Sequence, residues 1–173
     1  SRYEQFISKK FKKNFNQNYE NILKWSIKNL GSFWSSIWDF SKIKGFKGKL
    51  KIKKSKIFYK NKFLPNSKLN FAENLLSKNN KNKAITFVSE NGFREERSWY
   101  ELNINVSKIS KFLTSIKIKK KDRVAAYMPN TIETIEAFIA SSSLGAIWSS
   151  CSPDFGVKGV LERFSQISPK VLF

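Results

Sequence analysis

The chain has 173 residues, 40% of them hydrophobic, and 33 basic against 13 acidic side chains give it a formal net charge of +20. It has no histidine, which excludes a Ser-His or Cys-His nucleophile pair and a histidine-ligated metal among these residues. Its one cysteine, Cys151, excludes an intramolecular disulfide, and no apolar run approaches the roughly 20 residues that span a membrane, so we expect a cytoplasmic protein.

Residues 1–40 have the apolar spacing of helices. Phe6, Phe11 and Phe15 give the first, loosely patterned one. NYENILKWSIKNLG (18–31) predicts a second helix, and Gly31 suits its end. The face of this helix predicted to be buried comprises Tyr19, Ile22, Leu23, Ile27 and Leu30. SFWSSIWDF (32–40) again has helical spacing, and its aromatic residues indicate packing rather than base stacking.

Residues 41–62 alternate lysine with apolar residues, which is typical of exposed edge strands or an extended arm. LNFAENLL (69–76) follows, with Asn70 as the expected N-cap of a helix and Glu73 three residues later. We expect residues 1–76 to form an N-terminal helical and extended lead segment. Residues 77–173 would then begin a larger domain and leave it incomplete.

The second half of the chain predicts an α/β fold. Residues 84–98 read as a hairpin around Asn91-Gly92, and Ser98 with Glu101 has the capping-box spacing at the start of the next helix. The predicted buried stripe of that helix is Leu102, Val106, Ile109 and Leu113. Strands are predicted at 124–128, 146–149 and 170–173. Helices between them imply a parallel sheet that helices cover.

The two predicted crossover helices have amphipathic patterns. In the first, Asn130 is the expected N-cap, and Glu133 and Glu136 are expected to face solvent. In the second, after SPDFG (152–156), five apolar residues form the expected core face. They are Val157, Val160, Leu161, Phe164 and Ile167.

The basic charge is unevenly distributed. Residues 1–83 carry 21 basic and four acidic side chains, whereas residues 84–173 carry 12 and nine. Only five of the 33 basic residues are arginines, the side chain best suited to base edges. A solvated lysine-rich surface is therefore favoured, and a basic nucleic-acid-binding module is the alternative from another class. We expect no specific nucleic acid and no membrane among the partners.

The ends of the chain are unusual for a complete domain. The first residue is Ser1, and the last three, Val171 to Phe173, belong to an apolar run. Such a run would form a sheet strand with an open edge. We expect the chain to be a piece of a longer protein.

Several motifs resemble the adenylate-forming acyl-CoA synthetases. KKDRVAAYMPN (120–130), followed by IETIEAFIASSSLGAIWSS (132–150), is similar to the DRV and LGAI strands that flank one helix in that superfamily. SWYEL (98–102) is similar to an early motif of the same proteins. The finer resemblance, to the members that act on acetoacetate, is carried by residues 18–40, LNFAENLL and SSCSPDFGVKGVLERFSQISPKVLF (149–173).

The resemblance implies an ATP-dependent ligase that also uses Mg²⁺ and CoA. A carboxylic acid, acetoacetate, would be joined to AMP with release of pyrophosphate and then transferred to the CoA thiol. The runner-up within this class is an acetyl- or propionyl-CoA synthetase. The family's phosphate loop and catalytic lysine have no counterpart in residues 1–173, so no catalytic and no metal-binding residue is assigned.

One turn matches a family position near the CoA nucleotide. The resemblance places Ser152, Asp154 and Phe155 in the vicinity of CoA. The alternative is that Ser152 or Asp154 caps the following helix. Cys151 has no histidine partner, so we interpret it as a small packed residue.

Overall fold

The structure is a computed structural model that describes residues 1–173. It divides into two compact units, Ser1–Leu69 and Asn70–Phe173. None of its helices combines the length and the apolar character needed to cross a membrane. The domain boundary expected after residue 76 stays a prediction.

The first unit contains three α-helices, one 3₁₀ turn (Phe58–Lys60) and a short antiparallel strand pair. Ile7, Phe15 and Trp25 form its buried cluster. Lysine-rich segments connect the two strands, and neither strand is longer than two residues. The elements are α1 (Arg2–Phe11), α2 (Tyr19–Lys28), α3 (Leu30–Phe40), β1 (Ile52–Lys53) and β2 (Lys62–Phe63).

The predicted face of α2 is only partly correct. Ile22 packs against the buried cluster, but Tyr19 and Ile27 are 72% and 62% exposed, and the buried Trp25 was not predicted to face the core. The aromatic rings of Phe11 and Phe15 lie 5.0 and 5.5 Å from the Trp25 ring, so the preceding segment determines which face packs. Periodicity within the helix alone does not contain that information.

The predicted end of α2 is also displaced. Gly31 lies in the first turn of α3 and does not end α2. Asn29 separates the two helices, and both its backbone N–H and its side-chain amide donate to the carbonyl oxygen of Trp25, at 2.9 and 3.0 Å. A polar side chain therefore ends the helix where a glycine was expected.

The second unit contains a hairpin and a three-stranded parallel sheet in the order β6-β5-β7. This confirms the predicted α/β class with helices between parallel strands. The hairpin turn at Gly92 has a φ of 83°, which glycine adopts without strain. The elements are α4 (Phe71–Leu75), β3 (Lys83–Val88), β4 (Arg94–Ser98), α5 (Trp99–Ser115), β5 (Arg123–Tyr127), α6 (Ile132–Ser143), β6 (Ile147–Cys151), α7 (Val157–Ser165) and β7 (Val171–Leu172).

Helix α5 forms as the sequence predicts. Ser98 accepts from the N–H of Glu101, and the Glu101 carboxylate accepts from the N–H of Ser98, so both halves of the capping box are present. Leu102, Val106 and Leu113 are buried along one side of the helix. They pack into the main core, which also contains Ala72, Ile118, Val124, Ile139 and Ala140.

The orientation predicted for Glu136 is wrong. Its side chain is buried, with 4% exposure, whereas Glu133 is exposed as expected. Arg97 of β4 lies 3.3 Å from the Glu136 carboxylate, and the side-chain amide of Asn105 donates to it at 2.8 Å. A buried carboxylate requires such partners. They come from elements that are distant in sequence.

Two details of the crossover helices also differ from prediction. Helix α6 begins after Thr131 rather than after Asn130. In α7, Phe164 is buried, but Val157 and Leu161 are 76% and 62% exposed. Val160 and Ile167 pack with Phe164 against Ala125 and Cys151 of the sheet, so only part of the predicted apolar stripe is covered.

Candidate active-site edge of the sheet

The carboxyl ends of β5 and β6 lie side by side, because the two strands pair in parallel with Tyr127 opposite Cys151. Two loops, residues 128–130 and 152–156, leave the sheet at this edge. In open parallel sheets, ligands bind outside the carboxyl ends of the strands. This edge is therefore the candidate site.

The turn at 152–156 is held by its own polar groups. The Ser152 hydroxyl donates to the Asp154 carboxylate at 2.6 Å and accepts from the Asp154 N–H at 3.4 Å. The N-cap of α7 is Gly156, which has no side chain to cap the helix. The interpretation of Ser152 or Asp154 as a helix cap is therefore wrong, and the Asp154 carboxylate remains exposed.

Phe155 is anchored from two directions. Its ring lies 4.1 Å from the guanidinium carbon of Arg163, a cation–π contact typically worth about 0.5–1 kcal/mol at an exposed site. Its carbonyl oxygen lies 3.0 Å from the Tyr127 hydroxyl, which also donates to the carbonyl oxygen of Pro153 at 2.8 Å. The turn is thus tied both to the end of β5 and to α7.

Sequence reasoning did not identify Tyr127 and Arg163 as parts of this site. Arg163 follows Phe155 by eight residues, a spacing that places both near one face once Gly156 begins the helix. Tyr127 is the last residue of a strand whose parallel neighbour runs into the turn. The position of Tyr127 therefore indicates a role in the site only when the pairing of β5 with β6 is known.

The start of α7 presents an exposed, positively polarised surface. No acidic residue occurs in its first turn, and Lys158 is solvent-exposed with its ammonium group 4.0 Å from Glu162. The unpaired N–H groups of a helix start favour negatively charged groups. The exposed Asp154 carboxylate adds the opposite charge beside it.

Cys151 is packed as predicted. It is 4% exposed and lies in a small cluster with Ala125 and Phe164. No three acidic or cysteine side chains are grouped so that they could hold a metal ion.

Comparison with protein families identifies the class of protein that has this fold. Residues 73–173 match the family described as "AMP-binding enzyme". The match includes the hairpin, the parallel sheet and the turn at 152–156. The chain belongs to the AMP-binding enzyme family.

Individual relatives are similar over most of the chain. Acetoacetyl-coenzyme A synthetase from Rhizobium meliloti (strain 1021) is 42% identical over 154 residues, 89% of this chain and 24% of that protein. Acetoacetyl-CoA synthetase from Xenopus tropicalis is 42% identical over 159 residues, 90% of this chain and 24% of that protein. The solved structure of acetoacetyl-CoA synthetase from Streptomyces lividans, 26% identical, superposes on 99% of this chain and 27% of its own, with a TM-score of 0.89.

The chain spans about a quarter of the length of the curated relatives it matches. The similarity extends through both compact units. The expected resemblance to adenylate-forming acyl-CoA synthetases is confirmed, and with it the finer resemblance to acetoacetyl-CoA synthetases.

Proposed function

We propose that the chain is the N-terminal part of an ATP-dependent acid–thiol ligase that converts acetoacetate to acetoacetyl-CoA. The observation that carries this proposal is the similarity to acetoacetyl-CoA synthetases over about nine-tenths of the chain. The likeness to a solved member includes residues 1–69, which lie outside the match to the AMP-binding family. The first unit supports the proposal because it also resembles the solved acetoacetyl-CoA synthetase.

The proposed reaction has two steps. An acetoacetate carboxylate oxygen bonds to the α-phosphorus of ATP, and the bond to the departing pyrophosphate breaks. The CoA thiolate then bonds to the acyl carbon, AMP departs, and the thiol proton passes to solvent. The family resemblance also implies Mg²⁺, and no residue of this chain is assigned to it.

For the turn at 152–156 we propose a place beside the CoA nucleotide. The Asp154 carboxylate is an acceptor, so it suits a ribose hydroxyl or the adenine amino group and repels phosphate. Ser152 already donates to Asp154 and holds it in place. Phe155 presents one ring face to Arg163, which leaves the other face for an apolar or stacked contact.

The domain organisation and location belong to the same proposal. Residues 1–76 would be a lead segment and residues 77–173 the start of the AMP-binding domain of a cytoplasmic enzyme. Small molecules, namely acetoacetate, ATP and CoA, are its partners. Residues 1–173 alone are expected to be inactive, because the relatives are about four times as long.

The test is thioester formation by the complete protein. Acetoacetate, acetate and propionate are each supplied with ATP, Mg²⁺ and CoA, and the acyl-CoA product is measured. The proposal requires a kcat/KM for acetoacetate that exceeds both others. A preference for acetate or propionate would replace it with the runner-up, and no product from any of the three would contradict the ligase.

A further inference from the structure

The ring of Phe155 lies along one face of α7. The guanidinium carbon of Arg163 is 4.1 Å from the ring centroid. A Cβ atom at Gly159 would lie 3.6 Å from a carbon of the same ring, in ordinary van der Waals contact. Because Gly159 and Arg163 are four residues apart on the helix, they share the face on which the ring rests. The Phe155 side chain therefore has a defined position on α7.

The contact of Arg163 differs from those of most other arginines in the chain. Arg94 and Arg97 pair with glutamate side chains, and Arg123 donates to the carbonyl oxygen of Ser168. The Arg163 guanidinium group lies instead over an aromatic ring. A planar, weakly hydrated guanidinium group suits such a contact, which restricts the orientation of the ring.

The backbone of Phe155 is held by separate contacts. Its N–H donates to the carbonyl oxygen of Ser152 at 3.1 Å, and its carbonyl oxygen accepts from the Tyr127 hydroxyl at 3.0 Å. The turn and β5 thus hold the backbone of Phe155, while α7 holds its side chain. All of these contacts lie within residues 127–163, so they do not depend on which surfaces of the chain are open to solvent.

Ordering a side chain before a ligand arrives favours binding. A ligand that must itself immobilise a loop or a side chain loses affinity, because the lost conformational freedom opposes association. The Arg163 contact fixes the Phe155 ring in advance, and the ring belongs to the same turn as Ser152 and Asp154. Loss of the guanidinium group would release the ring and loosen the turn.

We propose that Arg163 is a positioning residue for CoA. It holds Phe155, and through Phe155 the turn at 152–156, in the arrangement that meets the CoA nucleotide, and it does not itself contact CoA. The inference rests on the proposed function, which places this turn beside CoA. It adds a residue of α7 that acts only through another side chain.

The test is steady-state kinetics of the complete protein with Arg163→Gln. The KM for CoA should rise about two- to fivefold, the factor that corresponds to an exposed cation–π contact, with kcat unchanged. Acetoacetate-dependent pyrophosphate release in the absence of CoA should also be unchanged. Arg94→Gln is the matched control, because it removes an arginine from the hairpin and should alter neither quantity. An unchanged KM for CoA in Arg163→Gln would overturn the proposal.

Two further measurements distinguish positioning from direct contact with a CoA phosphate. Phe155→Leu removes the ring, so the addition of Arg163→Gln to Phe155→Leu should raise the KM no further. The effect of Arg163→Gln should also be equal for CoA and for dephospho-CoA, which lacks the 3′-phosphate. If the effects of the two substitutions multiply, or if the effect of Arg163→Gln disappears with dephospho-CoA, Arg163 contacts CoA directly and the proposal is overturned.

Hydrogen exchange in the complete protein gives a measurement that does not require the reaction. Arg163→Gln should speed exchange of the Phe155 amide by the same two- to fivefold factor, and Arg94→Gln should leave it unchanged. Unchanged exchange in Arg163→Gln would overturn the positioning role even in an enzyme that forms acetoacetyl-CoA. Faster exchange in a protein that forms no acyl-CoA would contradict the proposed function and the role in CoA binding, while the contact between Arg163 and the turn would stand.

Discussion

Tyr127, the last residue of β5, donates its hydroxyl to the backbone of the turn that follows the neighbouring strand, 3.0 Å from the carbonyl oxygen of Phe155. The same hydroxyl lies 2.8 Å from the carbonyl oxygen of Pro153. One side chain thus fixes the position of a turn 26 residues further along the chain. The turn contains the residues proposed to lie near CoA.

Tyr127→Phe should therefore affect the thiol half of the proposed reaction. The loss of one hydrogen bond, about 0.5–1.5 kcal/mol, corresponds to a roughly two- to twelvefold rise in KM for CoA. Adenylate formation without CoA should be unchanged. Steady-state kinetics of the complete protein measure the KM for CoA. Pyrophosphate release that depends on acetoacetate, in the absence of CoA, measures adenylate formation.

Tyr100→Phe is the matched control, because Tyr100 is 50% exposed on α5, away from the turn. It should change neither quantity. An equal loss in both half-reactions of Tyr127→Phe would indicate general destabilisation, and Tyr127 would then have no specific role in positioning the turn.

Glu136→Ala should be strongly destabilising. It leaves Asn105 without its acceptor and removes one carboxylate from Arg97, in a site where Glu136 is 4% exposed. We expect the free energy of unfolding to fall by about 2–4 kcal/mol. Urea denaturation measures it, with Glu133→Ala as control.

Glu133 is a suitable control because it also faces Arg97, at 3.5 Å, but its side chain is 51% exposed. Such a pair is typically worth about 0–1 kcal/mol. If both substitutions cost the same, the buried network would not be the determinant that holds β4 against α5 and α6.

Asn70→Asp should cost stability even though aspartate is as good an N-cap as asparagine. Asn70 accepts from the N–H of Glu73, and its amide also donates to the carbonyl oxygens of Ser142 and Ser143, at 3.1 and 3.0 Å. A carboxylate cannot donate, and it would face two carbonyl oxygens. We expect a loss of about 1–3 kcal/mol in urea denaturation.

Asn18→Asp is the control for the hydrogen bonds that the Asn70 amide donates to α6. Asn18 caps α2 by accepting from the N–H of Glu20 at 2.8 Å. Its replacement should be neutral within about 0.5 kcal/mol. Equal effects at the two positions would mean that the bonds from Asn70 to α6 add no stability.

The capping box of α5 should make stability depend on pH. The N–H and hydroxyl of Ser98 donate to the Glu101 carboxylate and hold the pKa of Glu101 below its usual range. A lowered folded-state pKa stabilises the fold above the unfolded value of about 4.3, and this stabilisation is lost as pH falls through the folded-state pKa.

Urea midpoints at pH 7 and pH 3 test the capping box. Glu101→Gln cannot titrate, so the advantage of the unaltered protein over this variant should be present at pH 7 and smaller at pH 3. An advantage that is the same at both pH values would show that the Glu101 carboxylate is not stabilised as described.

Local patterns predicted the structure of α5 well, although the local signals at Gly31 and Asn130 did not mark the helix ends. The Ser98–Glu101 box and the stripe of Leu102, Val106 and Leu113 involve residues within one helix, and both are confirmed. The alternation of strands and helices predicted the parallel sheet because crossover connections impose it.

Features that depend on distant residues were not predictable. Glu136 has the spacing of an exposed residue, but Arg97, 39 positions earlier, and Asn105 give it buried partners. In the sequence, Tyr127 has no feature that distinguishes it from other strand residues. Its role depends on the parallel pairing of β5 with β6, which places the turn at 152–156 close to its hydroxyl. Sequence periodicity predicts which residues share one face of a helix or strand. It does not predict which other segment packs against that face.

Acetoacetate-dependent exchange of labelled pyrophosphate into ATP by the complete protein, measured without CoA, tests whether this chain is part of an acid-activating ligase. We expect exchange that requires acetoacetate and is much slower with acetate or propionate at equal concentration. Absence of exchange with every acid, in a folded protein that binds ATP, would contradict the assignment of this chain to an acid-activating ligase.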